Sequence, residues 1–427
     1  MTFKNLEVTR FVNQPQYKTL ISPVMEKYKT ILPRNPWSME VYNNKLYFGH
    51  GDMVNNTGAC SVYFYDLLNK EFGVDEGGLD LSTERINTIK EIDGDLYILA
   101  MDHTGANDTE VLFRKKTDTP WETLVIPFAT EHSFDIINFN NKTWVCGDKL
   151  GSTSDVWVTD DEGITWTAIG LYEIDGITQS QVDRLYNFIE LKGDLYVINN
   201  IIRDNSSIWK YIFEVQKFIK QDIDLGASTL TGSYAAMNIL NGPSGGISRF
   251  FGTFFIRNIT FNNKALSISV VPSILWNGQV DDTNPVTSKF VVWDNYENIS
   301  TSISYTLNHD IMRFESQIRS LSPDESGDQN LFYVWDVKIY NNKLFILGDY
   351  VYSAYNSSLN ISFDCKNKHY IEIYSTEDLT NWTLHFSKKS DTFGRSFALF
   401  DNYAYIGIGS TYLWQSVHTG EIWKVKI

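Results

Sequence analysis

The feature that most restricts the fold of this chain is a hairpin that recurs along its whole length: an alternating strand, a two-residue turn, and then an aromatic-rich strand. Its clearest copies are Glu40–Gly49, Lys90–Ile98, Ile136–Val145, Phe188–Val197 and Val337–Ile346, with weaker copies at Ile259–Ile268 and Ala398–Ile406. Asn-Asn, Asp-Gly, Lys-Gly or Asp-Asn fills each turn, and such pairs suit the positive φ of two-residue hairpins. With the second turn residue as marker, the copies fall at 44, 94, 141, 193, 263, 342 and 402, so the intervals are 50, 47, 52, 70, 79 and 60 residues.

A second hairpin follows most copies. Ser61–Asp66 pairs with Glu71–Val74, Val111–Arg114 with Trp121–Val125, Val156–Thr159 with Trp166–Ile169, and Ile371–Tyr374 with Trp382–His385. Each unit therefore holds about four strands, A to D, and a repeat of roughly 40–50 residues is the period of a β-propeller blade. An aromatic content of 15% agrees with pleated, half-buried surfaces. The expected fold is all-β: a single closed β-propeller of seven blades over residues 37–427, with a short N-terminal arm over 1–36. Six blades is the alternative, because the marker at 263 is the weakest and the two longest intervals flank it. Gly226–Gly252 reads as loop. An insertion over about 273–330 contains Asp310–Leu321, where Ile311, Phe314, Ile318 and Leu321 share one helical face. The chain stops after Glu421–Ile427, which resembles the third strand Ser207–Ile212, so an N-terminal strand, either Leu6–Phe11 or Tyr17–Ser22, is expected to complete the last blade and cover its edge. Ser22 as N-cap and Pro23 at the first helical position predict a short helix through Leu32.

Charge and cysteine content narrow the function. A formal net charge of −16 repels phosphate backbones and argues against nucleic acid as a partner. Three Cys are too few and too scattered for a disulfide framework or a thiolate metal site. Met1–Gln14 has no apolar core of a secretory signal, and no run approaches the ~18 apolar residues of a spanning helix. No cofactor or metal is expected.

One motif is specific. Thr159-Asp-Asp-Glu-Gly-Ile-Thr-Trp166 follows the pattern S/T-x-D-x-G-x-T-W, in which Asp161 accepts backbone N–H groups, Gly163 takes positive φ, and Thr165 and Trp166 close the turn. It is similar to the Asp box, the repeat signature of sialidase-type propellers. Ser375–Trp382 resembles a degenerate copy, with Glu377 at the Asp position and Leu379 at the Gly position. In that family the box lies on C–D turns away from the ligand face, so the resemblance implies the fold and a structural role for Thr159, Asp161, Gly163, Thr165 and Trp166.

In a propeller the D–A and B–C connections leave one face, around the central channel. Nine residues before each marker, at the start of strand A, stand Asn35, Arg85, His132, Arg184, Phe254, Tyr333 and Phe393, with Arg395 just beyond. The ends of strand B carry His50, Asp52, Asp102, His103, Asp148 and Asp349. An Asp that recurs after strand B reads as a turn cap, whereas residues present only in some blades carry more functional information. The expected ligand face comprises His50, Asp52, Arg85, Asp102, His103, His132, Arg184 and Arg395, which suit a carboxylated or hydroxyl-rich sugar through charge-assisted bonds. The structural alternative pairs these Arg with the recurring Asp. The propeller resembles platform domains of bacteriophage tail and receptor-binding proteins. That resemblance implies a non-catalytic virion protein that engages a cell-surface glycan or receptor, with other virion proteins as partners of the arm and exposed Trp276 and Trp414 stacking on sugars. A sialidase-type glycoside hydrolase is the enzymatic alternative: Arg34-Asn35-Pro36 is similar to that family's Arg-Ile-Pro, without its Ile, and Arg184 and Arg395 would complete an Arg triad. No Tyr–Glu pair is assigned, so no catalytic residue is named. A purely structural virion ring is the third reading.

Overall fold

The computed structural model describes residues 16–52, 57–104, 109–149, 156–172, 185–199, 207–221, 257–269, 289–293, 303–306, 329–353, 369–379, 381–410 and 415–427. The chain divides into two compact units, one of Met1–Pro36 with Pro323–Ile427 and one of Trp37–Ser322. The segment Asp310–Leu321, Leu6–Phe11, Trp276 and Trp414 lie outside the described residues.

Ahead of the first repeat come β1 (Tyr17–Ile21), the one-turn helix α1 (Val24–Lys27) and a 3-10 turn at Leu32–Arg34. The helix expected to reach Leu32 stops at Lys27, and Ser22 does not cap it. Arg34 takes the carbonyl of Tyr28 with both Nε (3.0 Å) and Nη2 (2.7 Å), an acceptor that a longer helix would need for itself. The Ser22 hydroxyl donates instead to Gly420 O.

In the unit Trp37–Ser322, β2 (Met39–Tyr42), β3 (Lys45–Phe48), β4 (Tyr63–Asp66) and β5 (Phe72–Val74) form an antiparallel meander. Next come β6 (Thr83–Ile92), β7 (Asp95–His103), β8 (Thr109–Lys115), β9 (Glu122–Phe139), β10 (Lys142–Lys149), β11 (Val156–Thr159) and β12 (Thr167–Ile169), joined in one sheet. That sheet is two meanders sharing β9, whose first half pairs with β8 and whose second half pairs with β10. β13 (Leu171–Tyr172) then runs parallel to the outer strand of the following meander, made of β14 (Leu185–Leu191), β15 (Asp194–Asn199), β16 (Ser207–Ile212) and β17 (Lys217–Gln221). A further meander is β18 (Arg257–Phe261), β19 (Lys264–Ser269), β20 (Lys289–Trp293) and β21 (Ile303–Thr306). Buried apolar side chains fill the space between successive meanders. Tyr47, Val62, Ile86 and Phe113 pack together, as do Leu112, Val145, Trp157 and Trp166, and likewise Trp144, Val158, Phe188 and Trp209.

The other unit holds β22 (Gln329–Tyr340), β23 (Lys343–Ser353), β24 (His369–Thr376) and β25 (Trp382–Ser390), then β26 (Gly394–Phe400), β27 (Tyr403–Ile408) and β28 (Glu421–Lys426). β1 is the fourth strand of the last sheet. It pairs antiparallel with β28, Thr19 opposite Trp423, and of its five side chains only Leu20 is buried. β1 thereby covers the edge of β28, which uncovered would be open to other chains.

The seven marker turns each join the first and second strands of a meander, and in each both turn residues have positive φ, from 47° at Asp401 to 86° at Gly94. That is the geometry for which Asn and Gly are selected.

Two further offsets recur. Six residues before the marker, a polar side chain reaches the next meander. Ser38 Oγ accepts from Ile89 N (3.2 Å), Thr88 Oγ1 donates to Phe134 O (3.2 Å), and Asp135 accepts from Phe188 N (2.9 Å). In the second unit Asp336 accepts from Phe397 N (3.1 Å), and Ser396 donates to Pro36 O. Seven residues before the marker, the pairing skips one residue on the first strand, at Asn87, Phe134, Tyr186, Trp335 and Arg395. These are β-bulges, which redirect the side chain they carry.

Candidate functional site

The turn between β11 and β12 is tied from within. Asp161 Oδ1 accepts from Thr159 Oγ1 (2.7 Å) and Thr165 N (2.9 Å), and its Oδ2 accepts from Thr165 Oγ1 (2.6 Å). Glu162 and Gly163 have φ of 60° and 89°, while Trp166 is buried and donates to Gly163 O. The donors of Thr165, first its hydroxyl and then its N–H, hold the Asp161 carboxyl down at about 2. Lys116 and Arg114 of the preceding meander both reach Glu162 of this turn.

The second copy is organised by Asp378 and not by Glu377, the residue aligned with Asp161 in the sequence. Asp378 accepts from Thr376 Oγ1, Asn381 N (2.7 Å) and Asn381 Nδ2 (2.7 Å), and Leu379 takes φ 65°. This turn has one residue fewer between the Asp and its Trp, so an eight-residue alignment slips by one. The same pattern, Asp-Leu-x-Asn, recurs at Asp66, which accepts from Asn69 N, Leu68 N and Asn69 Nδ2. Those bonds, the Asn69 N–H first, lower the Asp66 pKa.

The residues expected at the ligand face are mostly interior. His50 is buried, its Nε2 is 2.7 Å from Ser61 O, and its ring lies 5.2 Å from that of Tyr63. Asp52 is buried, and its N–H donates to Thr57 Oγ1 (2.9 Å). Arg85 is 2% exposed, with its guanidinium 4.6 Å from the centre of the Trp37 ring and Nη2 against Met101 Sδ. Asp102 lies in β7, its side chain outside the described atoms; half-buried His103 ends β7 opposite Thr83. His132 is buried in β9, opposite Asp148 and Met101, and stacks on Phe134 with ring centres 5.8 Å apart. Arg184 lies outside the described residues. Arg395, in the other unit, is 3% exposed and covers the Trp335 ring at 5.3 Å.

Within the unit Trp37–Ser322 the ends and starts of strands do meet in sequence: Gly51 bridges to Arg85, and Met101 pairs with His132. The close approach at these ends requires glycine. A Cβ on Gly49 would lie 2.1 Å from Ile86 O, and one on Gly147 the same distance from His132 O.

Arg34, placed by sequence in the enzymatic alternative, is engaged with the carbonyls of Tyr28 and Lys29. Asn35 beside it donates to Leu32 O and accepts from Ser410 N.

Two groupings lay outside the sequence reading, although Arg395 and Asp349 were each named there singly. The first is the bulge set, Trp37 position included, which a count seven residues back from each marker would have gathered. The second is the pair Asp349–His369. Asp349 sits inside β23, not in a turn cap, and its Oδ2 lies 2.6 Å from His369 Nδ1 with both side chains wholly buried. Burial pushes the Asp349 carboxyl up, against the pull of His369. Among the described residues, no group of three or more His, Cys, Asp or Glu is arranged to hold a metal.

No family model matches the chain, and no curated protein matches it. Solved structures do. U3-55K is similar with a TM-score of 0.52 at 7% identity, over 97% of this chain and 100% of that one. Virginiamycin B lyase from Staphylococcus aureus gives 0.47 at 10% identity, covering 96% and 99%, and the β-propeller domain of the Trilobed protease from Pyrococcus furiosus gives 0.45 at 8%, covering 88% and 92%. At these identities likeness speaks for the fold alone. The likeness to U3-55K, taken with the repeated four-stranded antiparallel meanders, makes this chain an all-β protein with a propeller-like repeat.

Proposed function

We propose that the chain is a closed ring of seven blades that works by binding and not by catalysis, as a virion-associated protein whose ligand is a cell-surface glycan. Seven equivalent turns, the tie at the sixth residue before five of them, and β1 paired with β28 support the ring.

The observation that carries the binding reading is the uneven length of the connections. First-to-second strand turns have two residues throughout, and third-to-fourth turns are short, such as 67–71, 160–166 and 213–216. The stretches of sequence that separate described strands at the other end are longer, as at 222–256, 270–288 and 354–368. Loop length carried on one end of a rigid scaffold is how binding proteins vary their ligands. Arg85 and Arg395 lie near the starts of β6 and β26, and His132 lies where β9 passes from one meander to the next; Arg suits a sugar carboxylate through paired, charge-assisted bonds. The arm ahead of β1 would then be the attachment to other virion proteins.

The test is a glycan array with the full chain beside Arg85→Ala and Arg184→Ala, at low and high salt, followed by analysis for released sugar. Salt-sensitive binding that falls in these variants, with no sugar released, is the expected result. Release of sugar dependent on Arg34 would replace this reading with the sialidase-type one.

A further inference from the structure

The bulges point to a more defined site. Three of them lie in successive meanders of one unit, at Asn87 in β6, Phe134 in β9 and Tyr186 in β14. Because the skip falls at the same offset in each, the three side chains leave their strands in the same sense. Phe134 and Tyr186 rings are 4.5 Å apart. With Met101 they form a small apolar cluster separate from the cores that lie between the meanders. Half-buried Tyr186 is its accessible side. His132 stacks on Phe134 at one border, and Arg85 touches Met101 at the other.

Asn87 holds the same bulge position one meander earlier, next to Thr88, whose hydroxyl donates to Phe134 O. Asn87 is 8% exposed, yet its Oδ1 has no hydrogen-bond partner. A buried amide oxygen left unmatched is costly, so such a group calls for an explanation. Bulges occur next to binding sites because they aim a side chain that regular pleating would not. An apolar aromatic floor with one or two placed polar groups is also the usual composition of a small-molecule site.

We propose that Asn87, Phe134 and Tyr186, floored by Met101, seat one pyranose ring. The ring's C–H face lies on the Tyr186 and Phe134 rings, a hydroxyl donates to Asn87 Oδ1, and Arg85 stands at the border where a ring carboxylate would sit. The inference rests on the glycan-binding reading and assigns it a place.

The test uses the full chain labelled with 13C-methyl Met, with D-glucuronic acid and N-acetylglucosamine as probes, alongside glycan-array binding of Asn87→Ala, Tyr186→Ala and Tyr186→Phe. The Met101 methyl signal should move on addition of sugar while that of Met39, buried elsewhere, stays. Array binding should fall tenfold or more in Asn87→Ala and Tyr186→Ala and persist in Tyr186→Phe. If Tyr186→Ala does not fold, Asn87→Ala and the Met101 signal decide. Array binding by the wild type that both Ala variants retain, with Met101 unmoved, overturns the seat and leaves the glycan reading standing. No array binding by the wild type overturns both.

Discussion

Asp135 offers the sharpest test of how the meanders are held together. Its Oδ1 accepts from Ile136 N (2.9 Å) and Lys90 Nζ (2.9 Å), and its Oδ2 accepts from Phe188 N (2.9 Å) on the neighbouring sheet. The Asp135 side chain is 9% exposed. In Asp135→Ala the Lys90 ammonium, 37% exposed and also bonded to Ile136 O, turns to water at little cost. Two interior N–H groups lose their acceptor, at about 1–3 kcal/mol each. The expected loss is therefore about 2–6 kcal/mol in urea unfolding followed by Trp fluorescence. Asp135→Asn keeps one acceptor oxygen but turns an NH2 towards a donor, so it should lose about 1–2 kcal/mol. Lys90→Ala should lose under ~1 kcal/mol. Asp336, with the same bonds to Val337 N and Phe397 N, gives an independent copy in the other unit. An Asp135→Ala protein no less stable than Lys90→Ala would refute the tie.

Three further outcomes follow from the geometry. Glu421, through its bond to His418 Nδ1 (2.7 Å), raises the His418 pKa; its stabilisation is fully present below about pH 6.5 and is lost as pH rises through the folded value. Melting from pH 5.5 to 8.5 should thus show a decline that Glu421→Gln flattens, and parallel curves would exclude the linkage. Asp161 has a depressed pKa, so its stabilisation is present above about pH 4 and disappears as pH falls towards 2; Asp161→Ala should melt lower at pH 7, lose that acid dependence and bind glycan as the wild type does, whereas lost binding at unchanged melting would contradict its structural role. Leu20→Asp should unseat β1 and expose the β28 edge, giving concentration-dependent association by light scattering, and a strictly monomeric variant would show that β1 does not guard that edge.

The sequence made the fold legible because its turns are chemically restricted. Asn44, Gly94 and Asn402 occupy positions that need positive φ, and few residues tolerate it. The pairing of β1 with β28 was legible because Glu421–Ile427 resembles the third strand Ser207–Ile212, which left a fourth strand to be found elsewhere. Side-chain roles were less legible. Charge and position mark Arg85 and Arg395 at strand starts, but residue identity does not reveal that both also lie over Trp rings. Asp349 looks like a turn cap until β24 brings His369 beside it from a distant stretch of chain. The alignment of Glu377 with Asp161 failed because turn length changed by one residue while the bonding stayed the same.

The most direct test of the whole account is an electron cryo-microscopy map of the intact chain with a glycan captured from the array. The account predicts seven radially arranged four-stranded sheets, the last closed by β1 on β28, and sugar density over Asn87, Phe134 and Tyr186. A different number of sheets, an open ring, or sugar seated on the turns that carry Asp66 and Asp161 would contradict it.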